Sequence, residues 1–369
     1  MKFIHTADWQ LGKAFGRFQP EVRAALTEAR FDAIDAIGRA ATDQGVDHVL
    51  VAGDIFDTEG PGDRTIVQAI SRMERHPCRW WLLPGNHDFV RNDGLWDRVR
   101  KRASDRIVVL SEARPHEIEP GSWLLPAPLT YRLNLDDPTE AFDAMDTPGA
   151  RLRIGLAHGS IRDFGSQGEA GNQIAPDRAR RSNLDYLALG DWHGVLEVDA
   201  WTWYSGTPET DRFKRDAPGY ALLVDLEPGR APQVSPIQTG RFRWITRDWI
   251  VSDLADFDAQ VEALLGTVDP SASLLKLSLS GITNLGDRSA ILSKLEDEIA
   301  HRLRDLEVRA SELVVSPTRE DLDTLAVEGV LGVAAAKLNA RIEAGGPDAA
   351  LARRALERLF VEYSRGEIA

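Results

Sequence analysis

The sequence contains a single cysteine, Cys78, and has no apolar run that approaches the ~20 residues needed for a membrane-spanning helix. A single cysteine excludes an internal disulfide and a zinc site built from several cysteines, and it is typical of a reducing compartment. The short apolar stretch before Asp8 leaves no room for a cleavable signal with charged and apolar regions. These absences predict a soluble cytoplasmic protein without a membrane partner.

The chain is also short of positive charge. It carries 44 basic and 58 acidic residues, which gives a formal net charge of −14. This charge opposes non-specific attraction to DNA, because neutralisation of phosphates normally provides that affinity. Basic residues do form three local clusters, each of which is either a solvated surface or a phosphate-binding patch. The clusters are Arg98, Arg100, Lys101, Arg102 and Arg106; Arg178, Arg180 and Arg181; and Arg212, Lys214 and Arg215.

The length of 369 residues exceeds the usual size of one compact core, so we expect one large domain and smaller units. Over residues 1–245, short β-rich runs alternate with helical stretches, and each run leads directly into polar residues. This alternation predicts an α/β domain. The predicted strands are Lys2–His5, His48–Ala52, Arg79–Leu83, Leu152–Ala157 and Tyr186–Leu189, and the predicted helices are Glu21–Ala41 and Arg64–Glu74.

The later part of the chain has a different pattern. Strands separated by Pro and Gly between Trp201 and Trp249 predict a second β-layer that closes the domain. We then expect a small α+β unit over 246–317 and a helical hairpin over 318–369. Their predicted elements are the helices Asp253–Leu265 and Arg288–Leu306, the strands Leu274–Leu279 and Val308–Val315, and the hairpin helices Asp321–Ile342 and Pro347–Tyr363.

Five polar clusters follow the five predicted strands, at the carboxyl ends where ligands gather in open α/β sheets. Taken alone, Asp8 fits a helix cap, Asp54 a turn and His158 a core histidine. Five clusters in this order instead predict one crevice of carboxylate, amide and imidazole groups, which suits two divalent cations bridged by a shared carboxylate. The clusters are Asp8-Trp9-Gln10, Gly53-Asp54-Ile55-Phe56-Asp57, Gly85-Asn86-His87-Asp88, Ala157-His158-Gly159 and Gly190-Asp191-Trp192-His193.

These motifs resemble those of the calcineurin-like metallophosphoesterase superfamily, and in particular its DNA-repair exonuclease branch of SbcD-type nuclease subunits. The segments that carry the resemblance are Ile4–Gly12 (IHTADWQLG), Gly53–Thr58 (GDIFDT), Gly85–Asp88 (GNHD) and Tyr204–Glu209 (YSGTPE). The resemblance covers about residues 1–245 and implies a four-layer α/β/β/α core. Beyond it, the α+β unit and the hairpin match only the general layout of a capping domain and a helical arm.

The resemblance also implies the ligand set. One cation would be bound by Asp8, Asp54 and His193, the other by Asp54, Asn86, His158 and the residue at 191, and His87 would be the general acid. Gln10 and Asp191 depart from the family, which has histidine at both positions. Gln10 can ligate weakly through its amide oxygen, whereas Asp191 adds negative charge. More oxygen and fewer imidazole ligands favour Mn²⁺, with Mg²⁺ or Fe as alternatives, over Zn²⁺.

The leading interpretation is a metal-dependent DNA nuclease that works with an SbcC-type coiled-coil ATPase, as the resemblance implies. A phosphoesterase for a small-molecule or phosphoprotein substrate, which the net acidity favours, and a catalytically weakened repair scaffold, which Gln10 and Asp191 favour, are the alternatives. The resemblance further implies a homodimer formed through Arg64–Glu74 and Gly94–Ala103, unless the apolar side chains there pack on their own sheet. The terminal hairpin would dock on the coiled coil of the ATPase or pack on its own domain.

Overall fold

The computed structural model describes residues 1–162, 171–214, 216–316, 318, 321 and 330–364. The chain divides into two compact units, Met1–Arg243 and Trp244–Ala369. The first contains two six-stranded sheets that include parallel strands, and the predicted α/β fold class is confirmed. None of the helices in the described ranges has the length and apolar character that crossing a bilayer requires.

The elements of the first unit include all five predicted strands and both predicted helices, within two residues of the predicted bounds. Its strands are β1 (Lys2–Thr6), β2 (His48–Ala52), β3 (Arg79–Leu83), β4 (Ile107–Val109), β5 (His116–Glu119), β6 (Ser122–Ala127), β7 (Leu152–His158), β8 (Ser160–Ile161), β9 (Gln173–Ile174), β10 (Tyr186–Gly190), β11 (Leu196–Asp199), β12 (Thr202–Tyr204), β13 (Tyr220–Asp225) and β14 (Gln233–Gln238). Its helices are α1 (Pro20–Asp43), α2 (Asp63–Met73), α3 (Leu95–Arg100) and α4 (Arg178–Arg181), with a 3-10 helix at Pro138–Ala144.

Both large sheets have parallel strands at their centre. The first has the order β14-β13-β1-β2-β3-β4, in which β1 to β4 run parallel. The second has the order β11-β12-β10-β7-β6-β5, in which β12, β10, β7 and β6 run parallel. The central strands β2 and β10 are buried along their whole length, which explains their unbroken apolar runs. In each sheet the carboxyl ends of these strands meet at one edge.

The second β-layer coincides only in part with the segment in which the sequence predicted it. Of the strands between Trp201 and Trp249, β12 belongs to the second sheet, but β13 and β14 extend the first sheet, because β13 pairs antiparallel with β1. The second sheet is built from strands between residues 116 and 204. The apolar pattern identified the strands of this segment, but it carries no information about which neighbour a strand selects.

The two large sheets share one hydrophobic core. Leu50 of the first sheet and Tyr186 of the second belong to the same buried cluster, and α1 adds Phe31 and Ile37 to it. Pro20 begins α1 at a position where a backbone N–H has no helical partner, so it favours the start of the helix there. On its other buried face, the second sheet packs against two short helical segments in the described residues, α4 and the 3-10 helix. The predicted four-layer arrangement therefore stays a prediction.

The second unit contains a three-stranded sheet, five helices and a π-helical turn in the described ranges. Its strands are β15 (Arg243–Ile250), β16 (Ser273–Thr283) and β17 (Asp305–Val315), and its helices are α5 (Leu254–Leu265), α6 (Leu285–Lys294), α7 (Ala300–Arg302), α8 (Val330–Ala344) and α9 (Ala349–Ser364). A 3-10 turn, Pro270–Ala272, precedes β16, and the π-helical turn Leu295–Ile299 joins α6 to α7. The predicted domain bounds at 245 and 317, and the capping role, stay predictions.

The helix predicted over Arg288–Leu306 is wrong at its C-terminal end. The helical stretch ends at Arg302, the backbone of Leu303 is extended, and Leu306 lies in β17, where it pairs with Leu275. Leucine spacing fitted a continuing helix, but pairing with β16 determines the conformation here. The first hairpin helix is described from Val330 onward, and the part of its predicted range over 322–329 lies outside the described residues.

The helices expected to form a dimer contact use their apolar side chains within the subunit. Val67 is 50% exposed. The other six predicted contact residues are buried in the core of the first unit: Ile66, Ile70, Met73, Leu95, Trp96 and Val99. The apolar pattern of these helices is therefore explained by packing on their own sheet, and a homodimer stays a prediction.

Candidate metal centre

The predicted site residues lie at the carboxyl ends of strands from both large sheets. They follow β1 (Asp8 and Gln10), β2 (Asp54), β3 (Asn86 and His87) and β10 (Asp191 and His193), and His158 is the last residue of β7. Ligand atoms of Asp8, Asp54 and His158, all buried, lie within 4.8 Å of one another. Residues from distant parts of the chain are thus brought to one place, as the order of the polar clusters predicted.

Four of the candidate ligands have a left-handed backbone. The φ angles are 55° at Asp8, 45° at Gln10, 54° at Asp54 and 101° at Asp191. This conformation is strained for a residue with a Cβ, by on the order of 1–3 kcal/mol, and such strain clusters at functional sites. Two backbone hydrogen bonds join the loops after β1 and β2. The N–H of Asp8 donates to the carbonyl oxygen of Gly53 at 3.1 Å, and the N–H of Gln10 donates to the carbonyl oxygen of Asp54 at 2.9 Å.

His158 is fully buried, and the first sheet orients its ring. Its Nδ1–H donates to the carbonyl oxygen of Ala52 at 2.8 Å, which leaves the lone pair of Nε2 for a cation. Nε2 lies 3.4 Å from Oδ1 of Asp54 and 3.9 Å from Oδ1 of Asp191. In the described part of the chain, Nε2 of His158 and Oδ1 of Asn86 are buried without a hydrogen-bond partner. Buried polar atoms rarely lack a partner, and a divalent cation would satisfy both.

The electrostatics of this cluster also favour a cation. Burial raises the pKa of Asp8 to about 6, and the neighbouring carboxylates of Asp54 and Asp191 contribute to the rise against the opposing effect of the histidines. Burial alone would lower the pKa of His158, but the carboxylates of Asp54, Asp8 and Asp191 outweigh it and raise the pKa to about 9. Without a metal, a proton on His158 therefore offsets part of the negative charge. This half of the site fits a divalent cation in geometry, ligand chemistry and charge.

His87 lies beside the cluster in a fixed orientation. Its backbone N–H donates to Oδ1 of Asp54 at 2.9 Å, and its Nδ1–H donates to the carbonyl oxygen of Asp57 at 2.9 Å. The other ring nitrogen, Nε2, lies 3.9 Å from Oδ2 of Asp54 in a side chain that is 32% exposed. An imidazole held in this way presents Nε2 to a molecule bound beside Asp54 and can donate a proton to it.

The half of the site around Gln10 and His193 is arranged differently. Oε1 of Gln10 accepts a hydrogen bond from Nζ of Lys13 at 3.0 Å, and Nε2 of Gln10 lies 3.3 Å from Nε2 of His193. A guanidinium nitrogen of Arg212 lies 2.6 Å from Nδ1 of His193. Both predicted ligands therefore contact cationic side chains. This half does not fit a divalent cation as it stands, because like charges at such distances repel.

Asp211, which the sequence analysis did not predict, binds the cationic side chains beside Gln10 and His193. Its Oδ2 lies 2.5 Å from Nζ of Lys13 and 3.0 Å from a guanidinium nitrogen of Arg30, and its Oδ1 lies 3.6 Å from Nδ1 of His193. Burial alone would raise the pKa of Asp211, but His193, Arg30 and Lys13 hold it well below its usual range. Its one signal in the sequence is its position two residues after the YSGTPE segment.

Asp88 is a second buried carboxyl whose role the sequence did not indicate. Its two oxygens accept the backbone N–H groups of Phe56 at 2.9 Å and Gly85 at 2.6 Å, so it joins the loops after β2 and β3. Burial raises its pKa to about 7, with a further contribution from Asp54. Asp88 therefore positions the loops that carry Asp54 and Asn86.

One of the three basic clusters lies at the site. A cleft beside His193 is lined by Trp192, Arg212 and Lys214, and Nζ of Lys214 lies 5.3 Å from the centre of the Trp192 ring. Arg215 lies outside the described residues. Arg212 also pairs with a carboxylate, since its Nε lies 3.0 Å from Oδ1 of Asp211. The arginines of the other two clusters pair with carboxylates too, in the pairs Arg98–Asp63, Arg100–Asp97, Arg102–Asp63, Arg106–Glu74, Arg178–Asp137, Arg180–Asp177 and Arg181–Asp177.

Among the known proteins that are similar to this chain are a nuclease subunit and a DNA-repair protein. The SbcD subunit of the SbcCD nuclease of Bacillus subtilis is 29% identical over 143 residues, which are 38% of this chain and 31% of that protein. The DNA double-strand break repair protein Mre11 of Methanosarcina acetivorans is 24% identical over 266 residues, 67% of this chain and 40% of that protein. The matched part of this chain thus spans less than half the length of either relative. These similarities support the resemblance to the DNA-repair exonuclease branch at modest identity.

Among solved structures, TT1561 of Thermus thermophilus is similar with a TM-score of 0.41 and 12% identity, over 64% of this chain and 98% of that one. Residues 1–224 match the sequence profile of the calcineurin-like phosphoesterases. That match covers more than half of the chain and includes every residue of the site. The chain therefore belongs to the calcineurin-like phosphoesterase family of metal-dependent phosphoester hydrolases.

Proposed function

We propose that this chain is a phosphodiesterase that requires a divalent cation and that its substrate is DNA. The observation that carries the proposal is Nε2 of His158, a buried ligand atom that has no hydrogen-bond partner in the described residues and lies 3.4 Å from Oδ1 of Asp54 and 3.9 Å from Oδ1 of Asp191. Oδ1 of Asn86, which follows the neighbouring strand β3, is likewise buried without a partner in the described residues. The proposed ion is Mn²⁺, with Mg²⁺ or Fe as alternatives, because oxygen ligands outnumber imidazole in this set.

Each residue of the site has a proposed role. The residues Asp54, Asn86, His158 and Asp191 hold the cation, and Asp8, Gln10 and His193 line the adjoining position where the family resemblance implies another. A bound divalent cation lowers the pKa of a water nucleophile and stabilises the charge that develops on phosphoryl oxygens. His87 protonates the leaving oxygen through Nε2, since its other ring nitrogen is committed to the carbonyl of Asp57.

Support for DNA as the substrate comes from the relatives and from the cleft. The relatives are named as a nuclease subunit and as a DNA double-strand break repair protein. The cleft places Arg212 and Lys214, which suit phosphates, near Trp192, on which a base can stack. The net charge of −14 opposes long-range attraction to DNA, so binding depends on these local groups. The same net charge favours the second candidate, a small phosphodiester or phosphoprotein substrate.

An assay with two substrates tests the proposal. Linear duplex DNA and bis-p-nitrophenyl phosphate are each incubated with the purified protein and either Mn²⁺ or EDTA. We expect Mn²⁺-dependent hydrolysis of both, and we expect Lys214→Gln to slow cleavage of DNA more than cleavage of the small ester. Lys101→Gln, which removes the same charge from an exposed site, is the matched control. If only the small ester were hydrolysed, a small phosphodiester or phosphoprotein would be the better candidate substrate than DNA. Metal binding without any hydrolysis would favour a catalytically weakened repair scaffold.

We also propose that the exposed face of the hairpin binds an SbcC-type coiled-coil ATPase. The inner face packs within its own unit, because Ala335, Leu356 and Phe360 form a buried cluster with Leu285 and Val315. Exposed apolar side chains nevertheless occur on the hairpin: Val330, Val333 and Leu351. A homodimer is a proposal that rests on the resemblance, and a cytoplasmic location is a proposal that rests on the single cysteine of the sequence.

A further inference from the structure

We infer that the chain holds one divalent cation, bound between Asp54, Asn86, His158 and Asp191, and that Lys13 supplies the positive charge of the second. The inference rests on the proposed metal site and changes the number of cations that the site binds from two to one. Its basis is a contrast between the two halves of the site. In the described part of the chain, the buried ligand atoms of Asn86 and His158 have no hydrogen-bond partner, whereas Gln10 and His193 each contact a cationic side chain.

The side chain of Gln10 is already engaged by its neighbours. The amide oxygen is the only side-chain atom of glutamine that binds a hard cation, and here it accepts a hydrogen bond from Nζ of Lys13 at 3.0 Å. The amide nitrogen of Gln10 lies 3.3 Å from Nε2 of His193, and a guanidinium nitrogen of Arg212 lies 2.6 Å from Nδ1 of the same ring, so both ring nitrogens of His193 already contact side chains of the protein. Gln10 therefore lies between Lys13 and His193, and an ammonium group engages the one atom of its side chain that could bind a hard cation.

The ammonium group of Lys13 is fixed beside Gln10 by an ion pair with Asp211. Its ammonium group lies 2.5 Å from Oδ2 of Asp211, whose side chain is 1% exposed, and the same oxygen pairs with the buried Arg30. Arg30 in turn donates to the carbonyl oxygen of Trp9, next to Gln10 in the chain. Lys13 is therefore held by a buried ion pair on one side and by Gln10 on the other. A divalent cation bound to Gln10 and His193 would have to displace this ammonium group or lie against it.

The carboxylate of Asp8 is held by the backbone of Asp191, because both of its oxygens accept the N–H of Asp191, at 3.2 Å and 3.1 Å. The added carboxylate at position 191 lies in the half of the site that contains His158. Its Oδ1 lies 3.9 Å from Nε2 of His158, and its Oδ2 accepts a hydrogen bond from the hydroxyl of Ser160. The two departures from the family, Gln10 and Asp191, thus both favour a site that binds one cation. Asp191 strengthens the site of one cation, and Gln10 together with Lys13 closes the site of the other.

Metal stoichiometry tests the inference directly. Purified wild-type protein is titrated with Mn²⁺ by calorimetry, and the bound ion is counted by elemental analysis after dialysis. We expect one equivalent for the wild type and for the exposed control Lys101→Met, and two for the double variant Gln10→His with Lys13→Met. The single variant Gln10→His should gain a second, weaker equivalent, roughly 10- to 100-fold below the double variant in affinity, because Lys13 still opposes it.

A second measurement uses only the wild type and does not depend on the variants folding. Electron paramagnetic resonance of the Mn²⁺-loaded protein should show isolated ions, without the exchange coupling of a two-ion centre. Two tightly bound equivalents with a coupled spectrum would overturn the inference and leave the proposed hydrolase intact. A double variant that folds and still binds one equivalent would also overturn it. Absence of any bound Mn²⁺ in the wild type, together with absence of hydrolysis, would instead contradict the proposed function.

Discussion

Single residues of the site have distinct expected effects on metal content and turnover. Asp54→Ala removes a carboxylate that lies 3.4 Å from His158 and also accepts the backbone N–H of His87, so it should abolish both metal binding and activity. His87→Ala should lower turnover by about 10²- to 10⁴-fold, as expected for loss of a general acid, while metal content stays near that of the wild type. Elemental analysis beside a phosphodiesterase assay measures both quantities. Equal loss of metal in the two variants would show that the assigned roles are wrong.

The stability of the first unit should depend on the protonation of one buried histidine. His5 accepts a hydrogen bond from the hydroxyl of Tyr186 and donates to the carbonyl oxygen of Leu189, and burial lowers its pKa from 6.5 to about 3. The unfolded chain therefore binds this proton more readily than the folded chain. The stabilising contribution is complete above pH 6.5 and is lost as the pH falls toward 3, by about 1.4 kcal/mol per pH unit in that window.

The test of this dependence compares His5→Gln with the wild type in urea unfolding at pH 7 and pH 5. The variant should be less stable at pH 7, because glutamine does not reproduce both hydrogen bonds, but its free energy of unfolding should fall less between the two pH values. His301→Gln, at an exposed histidine, is the control. Equal pH dependence in wild type and His5→Gln would mean that His5 is not the titrating group.

The residues of the site also differ in how far the sequence could identify them. Asp8, Asp54, Asn86, His158 and His193 occur at the ends of apolar strands, and the order of these clusters predicted that they lie near one crevice. Their roles as metal ligands were implied by the resemblance and stay a prediction. The partners of Gln10 were not predictable in this way. The ion pair that fixes Lys13 joins residues 198 positions apart, and no periodicity in the sequence connects the two.

At the scale of elements, the site depends on a close approach between the ends of the two sheets. A Cβ on Gly190, at the end of β10, would lie 1.9 Å from the carbonyl oxygen of Ala52 and 2.8 Å from Nδ1 of His158. Gly190→Ala should therefore disturb the hydrogen bond that orients His158. We expect a loss of about 1–3 kcal/mol in the free energy of unfolding and a roughly 10- to 100-fold loss in Mn²⁺ affinity.

Gly60→Ala is the matched control for this prediction, because a Cβ there has no atom within 4 Å. Thermal melts and calorimetric Mn²⁺ titrations of both variants provide the comparison. If Gly190→Ala behaved like Gly60→Ala in both measurements, the close approach of the two sheets would not be what orients His158.

Elements also show where sequence patterns stop being informative. The strands at 48–52 and 79–83 were predicted with the observed bounds, because a continuous apolar run bounded by turn residues has few other conformations. The strand at 220–225 was expected in a second layer, yet it pairs with β1. Leu306 fitted a helical stripe, yet it lies in a strand. In both cases a partner distant in sequence determined the outcome, and local apolar spacing does not encode that partner.

At the scale of the whole molecule, we expect the exposed face of the hairpin to be needed for binding a partner ATPase but not for catalysis. Val333 is 56% exposed and Leu351 is 62% exposed, while the inner face of the hairpin is buried in its own unit. The paired substitution Val333→Glu and Leu351→Glu should leave folding and phosphodiesterase activity unchanged and should prevent co-purification with a coiled-coil ATPase. Leu356→Glu, which places a charge in the buried cluster, should instead destabilise the unit. Retained co-purification by the surface variant would rule out this face as the contact.

The acidic character of the chain makes the salt dependence of DNA binding the most informative property of the whole molecule. A net charge of −14 repels a polyanion at long range, whereas contact at the cleft releases counterions from the phosphates that Arg212 and Lys214 neutralise. If the local contacts dominate, the logarithm of the binding constant should fall linearly with the logarithm of salt concentration, with a slope of about −0.9 per phosphate contacted. Lys214→Gln should reduce that slope by about 1, and the exposed control Lys101→Gln should leave it unchanged. Fluorescence anisotropy with a labelled duplex over a range of salt concentrations, with EDTA to prevent cleavage, gives the slopes. Affinity that rises with salt would mean that the net repulsion outweighs the cleft, and the small-phosphodiester substrate would then be the better account of the site.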